Sequence, residues 1–132
     1  MPDGDPKAEY KDLSDNMRHY ANMRFAQMTL YFALTAGLVT VVFTANPAQP
    51  PGLRLALKII GVVAAVAFGV MEERAATYWH HFRKRASDLE AVLGYKQYMS
   101  RPAAKLFTAT NATRLLVWGG APLWLLAIFR GP

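Results

Sequence analysis

The sequence predicts an all-α helical membrane protein with three transmembrane segments. Its first two helices extend beyond the bilayer into a cytoplasmic antiparallel helical layer. Three observations predict this. Phe25 to Ala45 is a 21-residue run without a charge, and at about 1.5 Å per residue it spans roughly 30 Å, the thickness of a hydrocarbon core. Two further apolar runs follow, one entered past Arg54 and Lys58 and the other flanked by Arg114 and Arg130. Between and before these runs, apolar residues recur at three- and four-residue spacing, which marks one face of a helix.

The chain has 132 residues, 53% of them hydrophobic, with no cysteine and a formal charge of +6. Without cysteine there is no disulfide framework and no thiolate chemistry. On a membrane protein the positive charge bears on topology and anionic headgroups rather than on nucleic acid. The first apolar run starts late and is too long for the core of a signal peptide, so no cleaved leader is expected.

Residues 1–7, MPDGDPK, are expected to form a disordered tail. Residues 8–24 are expected to be a cytoplasmic helix, with Tyr10, Leu13, Met17 and Tyr20 on one face. Nothing separates it from the first span, 25–45, and Arg24 at the entry can snorkel to the headgroups. The segment ANPAQPPG supplies an external turn at 46–52, since prolines and glycine end one helix and redirect the chain.

The second span is read as 53–71. It carries Arg54 and Lys58 near its start, where long basic side chains reach water at low cost. Gly61, Ala64, Ala65, Ala67 and Gly69 suit close helix packing in lipid. The same helix is expected to continue unbroken through 72–101 as a cytoplasmic segment. There Ala75, Trp79, Phe82, Ala86, Leu89 and Leu93 form a coiled-coil-like seam. A helix that enters the membrane and one that leaves it on the same side must run antiparallel. Tyr10, Leu13, Met17 and Tyr20 are therefore expected to face that seam. The acidic Glu9, Asp12 and Asp15 would then lie near Arg83, Lys84 and Arg85, which are otherwise candidates for lipid-headgroup contact.

Residues 102–113 are expected to be a linker, a short interfacial helix or the start of the next span. The third span is read as 114–130, flanked by Arg114 and Arg130 and containing Pro122; its apolar run, Leu115 to Phe129, has 15 residues and is short for a span, so a re-entrant or interfacial segment is the alternative. Twelve of the fifteen Lys and Arg residues fall on the side of the N-terminus and the helical extension. The positive-inside rule places that side in the cytoplasm and the C-terminus outside.

Candidate chemistry is sparse. His80 and His81 are adjacent, and neighbours on a helix point about 100° apart, so the two cannot serve one metal ion. The Arg74 and His80 spacing matches a loose ribonuclease pattern of HEPN type, which is short enough to arise by chance. Asn111-Ala112-Thr113 matches a glycosylation sequon on the side expected to be cytoplasmic. No nucleophile motif or phosphate loop is present, so no enzyme activity, cofactor or metal is expected. Glu72, Glu73 and Arg74 stand where the second helix leaves the bilayer. In an oligomer they are candidates for a charged pore mouth; in a protomer they are candidates for interfacial ion pairs.

Three stretches resemble a known group. They are RHYANMRFAQMTLYFALTAGL (Arg18 to Leu38), ASDLEAVLGYKQY (Ala86 to Tyr98) and TNATRLLVWGGAPLWLL (Thr110 to Leu126). The chain resembles the small bacterial RipA-like octameric membrane proteins, and more distantly the membrane-pore accessory protein of RNA-targeting CRISPR systems. The resemblance implies a bacterial inner-membrane homo-oligomer, an octamer in that group, around a central pore. The glycine- and alanine-rich second span is expected to need neighbouring copies. Expected partners are further copies of the chain and membrane lipids, with no nucleic acid. The alternatives are an accessory subunit packed against unlike membrane subunits, and a holin-like or toxin-like permeabiliser.

Overall fold

The computed structural model describes residues 5–44, 50–100 and 108–130. They form three helices: α1 (Pro6–Phe43), α2 (Pro51–Leu93) and α3 (Ala109–Phe129). The second helix is the spine, packed by α1 along its length and by α3 along its apolar part. Each helix is long and apolar enough to cross a membrane. Only 17%, 22% and 17% of their most apolar windows are buried within the protomer. Most of that apolar surface must therefore meet lipid or another chain.

The helix ends follow local chemistry, and several differ from the sequence-based boundaries. The first helix starts at Pro6, so the expected tail through Lys7 is too long. Pro6 needs no N–H partner in the first turn, and the Asp5 side chain accepts a hydrogen bond from the Lys7 N–H at 3.0 Å, an N-cap. The first span was expected through Ala45. The helix instead ends at Phe43 with Thr44 as its cap, and Ala45 lies outside the described residues, as does most of the expected turn. Pro51 and Gly52, assigned to that turn, are the first residues of α2.

The second helix does not run to residue 101. It stops at Leu93 because Gly94 takes a left-handed conformation, φ 74°, and its N–H bonds the Glu90 carbonyl at 2.9 Å. Glycine adopts this conformation without steric cost, which is why it ends helices. Residues 95–100 then fold back as turns.

The third helix starts earlier than expected. Thr108 caps it, accepting from the Asn111 N–H at 3.2 Å. Residues 109–113 are thus its first turns, while 102–107 of the expected linker lie outside the described residues. With 21 residues and Pro122 inside it, α3 has the length of a span that the apolar run alone lacked.

The helices meet in three small cores. Leu13, Met17, Ala86 and Leu89 form one, at the polar end of α1 and α2. Tyr31, Ala65 and Val117 form a second, and Leu38, Val42 and Trp124 a third. In the two apolar cores, large residues sit on glycines. Trp124 covers Gly61, Trp118 covers Gly69, and the Tyr31 hydroxyl covers Gly120. Of the small residues of the second span, Gly61, Ala65 and Gly69 are used within the protomer to seat α3 and Tyr31, while Ala67 stays exposed.

Candidate functional site

The charged joint between the apolar and polar halves of α2 is the most organised cluster in the protein. Glu72 is 3% exposed. The Arg24 Nε donates to both of its carboxylate oxygens, at 3.1 and 3.0 Å, and Nη2 adds a further bond to Oε1. This is a fork-to-carboxylate pair that ties α1 to α2. The same guanidinium reaches the Thr110 hydroxyl of α3 at 3.4 Å. Next in sequence, Glu73 pairs with Arg114 of α3. The joint thus fastens all three helices at one level. Arg24, read from sequence as a snorkelling residue, instead points inward with its side chain 16% exposed.

Both carboxylates are engaged by arginines of the same protomer, Glu72 buried and Glu73 half-buried. Arg74 is exposed. A small cavity beside the pair is lined by Arg24, Gln27, Tyr31, Glu72 and Thr113 among others. The Gln27 Oε1 is buried there without a hydrogen-bond partner among the described residues.

A second cluster lies at the far end of α2. Glu90 is fully buried, yet its carboxylate is saturated with donors. The Tyr98 N–H donates to both oxygens at 2.8 and 3.0 Å, the Met99 N–H at 2.9 Å, and the Tyr10 hydroxyl at 2.9 Å. Burial pushes this carboxyl up, but the Tyr98, Met99 and Gln97 N–H groups and the Tyr10 hydroxyl hold it below its ordinary value of 4.5. Burial together with the Glu90 charge pushes the Tyr10 phenol up to about 12. Glu90 therefore clamps the turn after Gly94 and the start of α1 together. Nothing in the local sequence pattern singles this residue out.

Between these clusters lie the seam residues. Leu13, Met17, Ala86 and Leu89 are buried together, with Tyr10, Trp79 and Phe82 packed against them. Tyr20 stacks on Tyr78 and tilts against Phe82, with ring centroids 5.5 Å apart in both pairs. Ala75 is buried nearer the joint, and Leu93 is half-buried at the helix end. The three basic residues beside the seam behave differently from one another. Arg85 pairs with Glu9 at 2.7 Å, Arg83 lies over the Trp79 ring at 5.7 Å, and Lys84 is exposed. Only one of them therefore meets an acidic residue of α1. Asp15 faces the other way and pairs with Arg18 at 3.7 Å.

No known family model, curated protein or solved structure matches this chain. Among the described residues, no three His, Asp or Glu side chains gather into a metal-holding group.

Proposed function

We propose that the chain is the subunit of a non-enzymatic homo-oligomer in a bacterial inner membrane, with the N-terminus and the polar ends of α1 and α2 in the cytoplasm and the C-terminus outside. The observation that carries the oligomer is the outer face of α1. Ala26, Thr29, Ala33, Gly37, Thr40 and Thr44 recur at three- and four-residue spacing and all are exposed. They lie on the side of the helix opposite Tyr31, Leu38 and Val42. Phe25, Phe32 and Phe43 flank them on one side, Leu30 and Leu34 on the other, and all five are exposed. The result is a groove. A Cβ on Gly37 would meet nothing within 4 Å. Lipid alone asks for no such groove, whereas a second helix uses one to approach closely.

The non-enzymatic reading is supported by the engagement of Glu72, Glu73 and Glu90, whose oxygens are taken by Arg24, Arg114, Tyr10 and backbone N–H groups. Such carboxylates hold structure. The resemblance to RipA-like octameric membrane proteins supplies the fuller proposal of a ring around a central pore. Native mass measurement in mild detergent tests the assembly. A discrete multimer of one chain is expected. A monomer would defeat the proposal, and co-purified unlike chains would favour an accessory subunit instead. Ion flux from liposomes loaded with the purified multimer tests the pore.

A further inference from the structure

We propose that neighbouring copies pack head to tail, with the outer edge of α1 in one copy seated on the outer edge of α2 in the next. This rests on the homo-oligomer proposed above and names the surfaces that build it.

The cross-contacts within a protomer set the register of the two helices. Tyr10 stands beside Glu90, Tyr20 beside Tyr78 and Arg24 beside Glu72. Interpolation puts Lys11 at the height of Asp88 and Asp15 at the height of Lys84. All four residues are exposed. At about 100° per residue, each lies on the side of its helix turned away from the seam. Lys11 and Asp15 therefore mark one edge of the two-helix layer, and Lys84 and Asp88 the opposite edge. The signs alternate in opposite order along antiparallel helices, so each charge stands level with its complement.

The apolar parts of the same edges are complementary in shape. The α1 edge continues from Asp15 into the groove at Ala33 and Gly37. The α2 edge continues from Lys84 into Ile59, Val63, Val66 and Val70, each 43–61% exposed. Arg24 beside Glu72 and Tyr31 beside Ala65 carry the register into the apolar part, where Val63 stands level with Ala33 and Ile59 with Gly37. One edge is a ridge of branched side chains and the other a groove of small ones. They lie on opposite sides of one protomer, so the ridge cannot fill its own groove. Rotation about an axis normal to the membrane preserves height, so a second copy brings ridge, groove and both charge pairs together at once. The contact joins two different surfaces, and such contacts propagate until the ring closes.

The absence of cysteine from the chain gives a clean test. Asp15→Cys, Lys84→Cys and the double variant are expressed in membranes and treated with a short bismaleimide cross-linker. The two positions lie on opposite edges, so the double variant should give a ladder of covalent multimers while each single variant stays monomeric on a denaturing gel. Gly37→Leu, at an exposed position where an added Cβ meets nothing within 4 Å, should abolish the ladder. Dimers from either single variant would mean a two-fold contact and overturn the inference. A double variant that runs as a multimer under native conditions but gives no ladder would also overturn it, leaving the assembly intact. A wild-type chain that is monomeric in the native gel would overturn the assembly itself.

Discussion

The indole of Trp118 lies over Gly69 so closely that a Cβ built on that glycine would stand 2.8 Å from the ring. This seating, repeated by Trp124 on Gly61, sets the distance between α2 and α3. Helix propensity alone would make Gly→Ala favourable by up to about 1 kcal/mol. Packing reverses the sign at Gly69, because a rigid ring on a rigid helix can give way only by moving α3, and overpacking costs about 1–3 kcal/mol. Gly119, with nothing within 4 Å, is the control. Unfolding in mixed detergent followed by circular dichroism should rank Gly69→Ala below wild type and Gly119→Ala at or above it.

Arg24 and Glu72 form the second fastening, and their burial makes single and double changes unequal. Removing either partner leaves a buried charge without its direct counter-ion, which costs about 3–5 kcal/mol. Replacing both with apolar residues of similar length removes the charge and the need for it together. Arg24→Met and Glu72→Met should each destabilise strongly, while the double variant should recover most of the loss. A double-mutant cycle in the same unfolding assay measures the coupling, and additive losses would count against a direct pair.

The Gln27 amide sits beside that pair with its Oε1 buried and without a hydrogen-bond partner among the described residues. A buried acceptor without a donor costs about 1–3 kcal/mol, and an apolar replacement of the same shape avoids that cost. Gln27→Met should therefore hold or raise the unfolding midpoint. A loss comparable to that of Arg24→Met would show that the amide bonds a partner in the membrane.

What the sequence made legible follows from what each feature depends on. Helical class and three spans depend on run length and periodicity, and both are local. The common face of Tyr10, Leu13 and Met17 is equally local, since 3.6 residues per turn suffices to place them together. The pairing of Trp118 with Gly69 depends on the depth at which α3 meets α2, which no local pattern encodes. Glu90 was missed for a related reason. Its donors are the N–H groups of residues 98 and 99, and they reach it only because Gly94 breaks the helix. A continuous helix would have carried those groups away. The difference between Lys84 and Arg85 was also hidden, because a run of three basic residues reads as one patch until the helix turns each about 100° from the last.

The Glu90 clamp has a pH signature at both ends of the scale. Its folded carboxyl is held below 4.5, so folding favours the ionised form. That stabilisation is fully present above the unfolded value and fades as pH falls through the lower folded value. The advantage of wild type over Glu90→Gln should therefore be constant near neutrality and shrink at pH values below about 4.5. The Tyr10 phenol moves the opposite way. Its value is pushed up from 10.0 to about 12, so folding favours the neutral form. That contribution is complete below pH 10 and is lost as pH rises towards 12. Amide hydrogen exchange at Tyr98 and Met99 reads the clamp directly. Protection there should drop in Glu90→Gln at neutral pH, and in wild type on acidification. Absorbance titration should lose its latest-ionising phenol in Tyr10→Phe. Exchange at residues 98 and 99 that ignores Glu90 would mean that Gly94 and the turn hold themselves, with no help from the buried carboxylate.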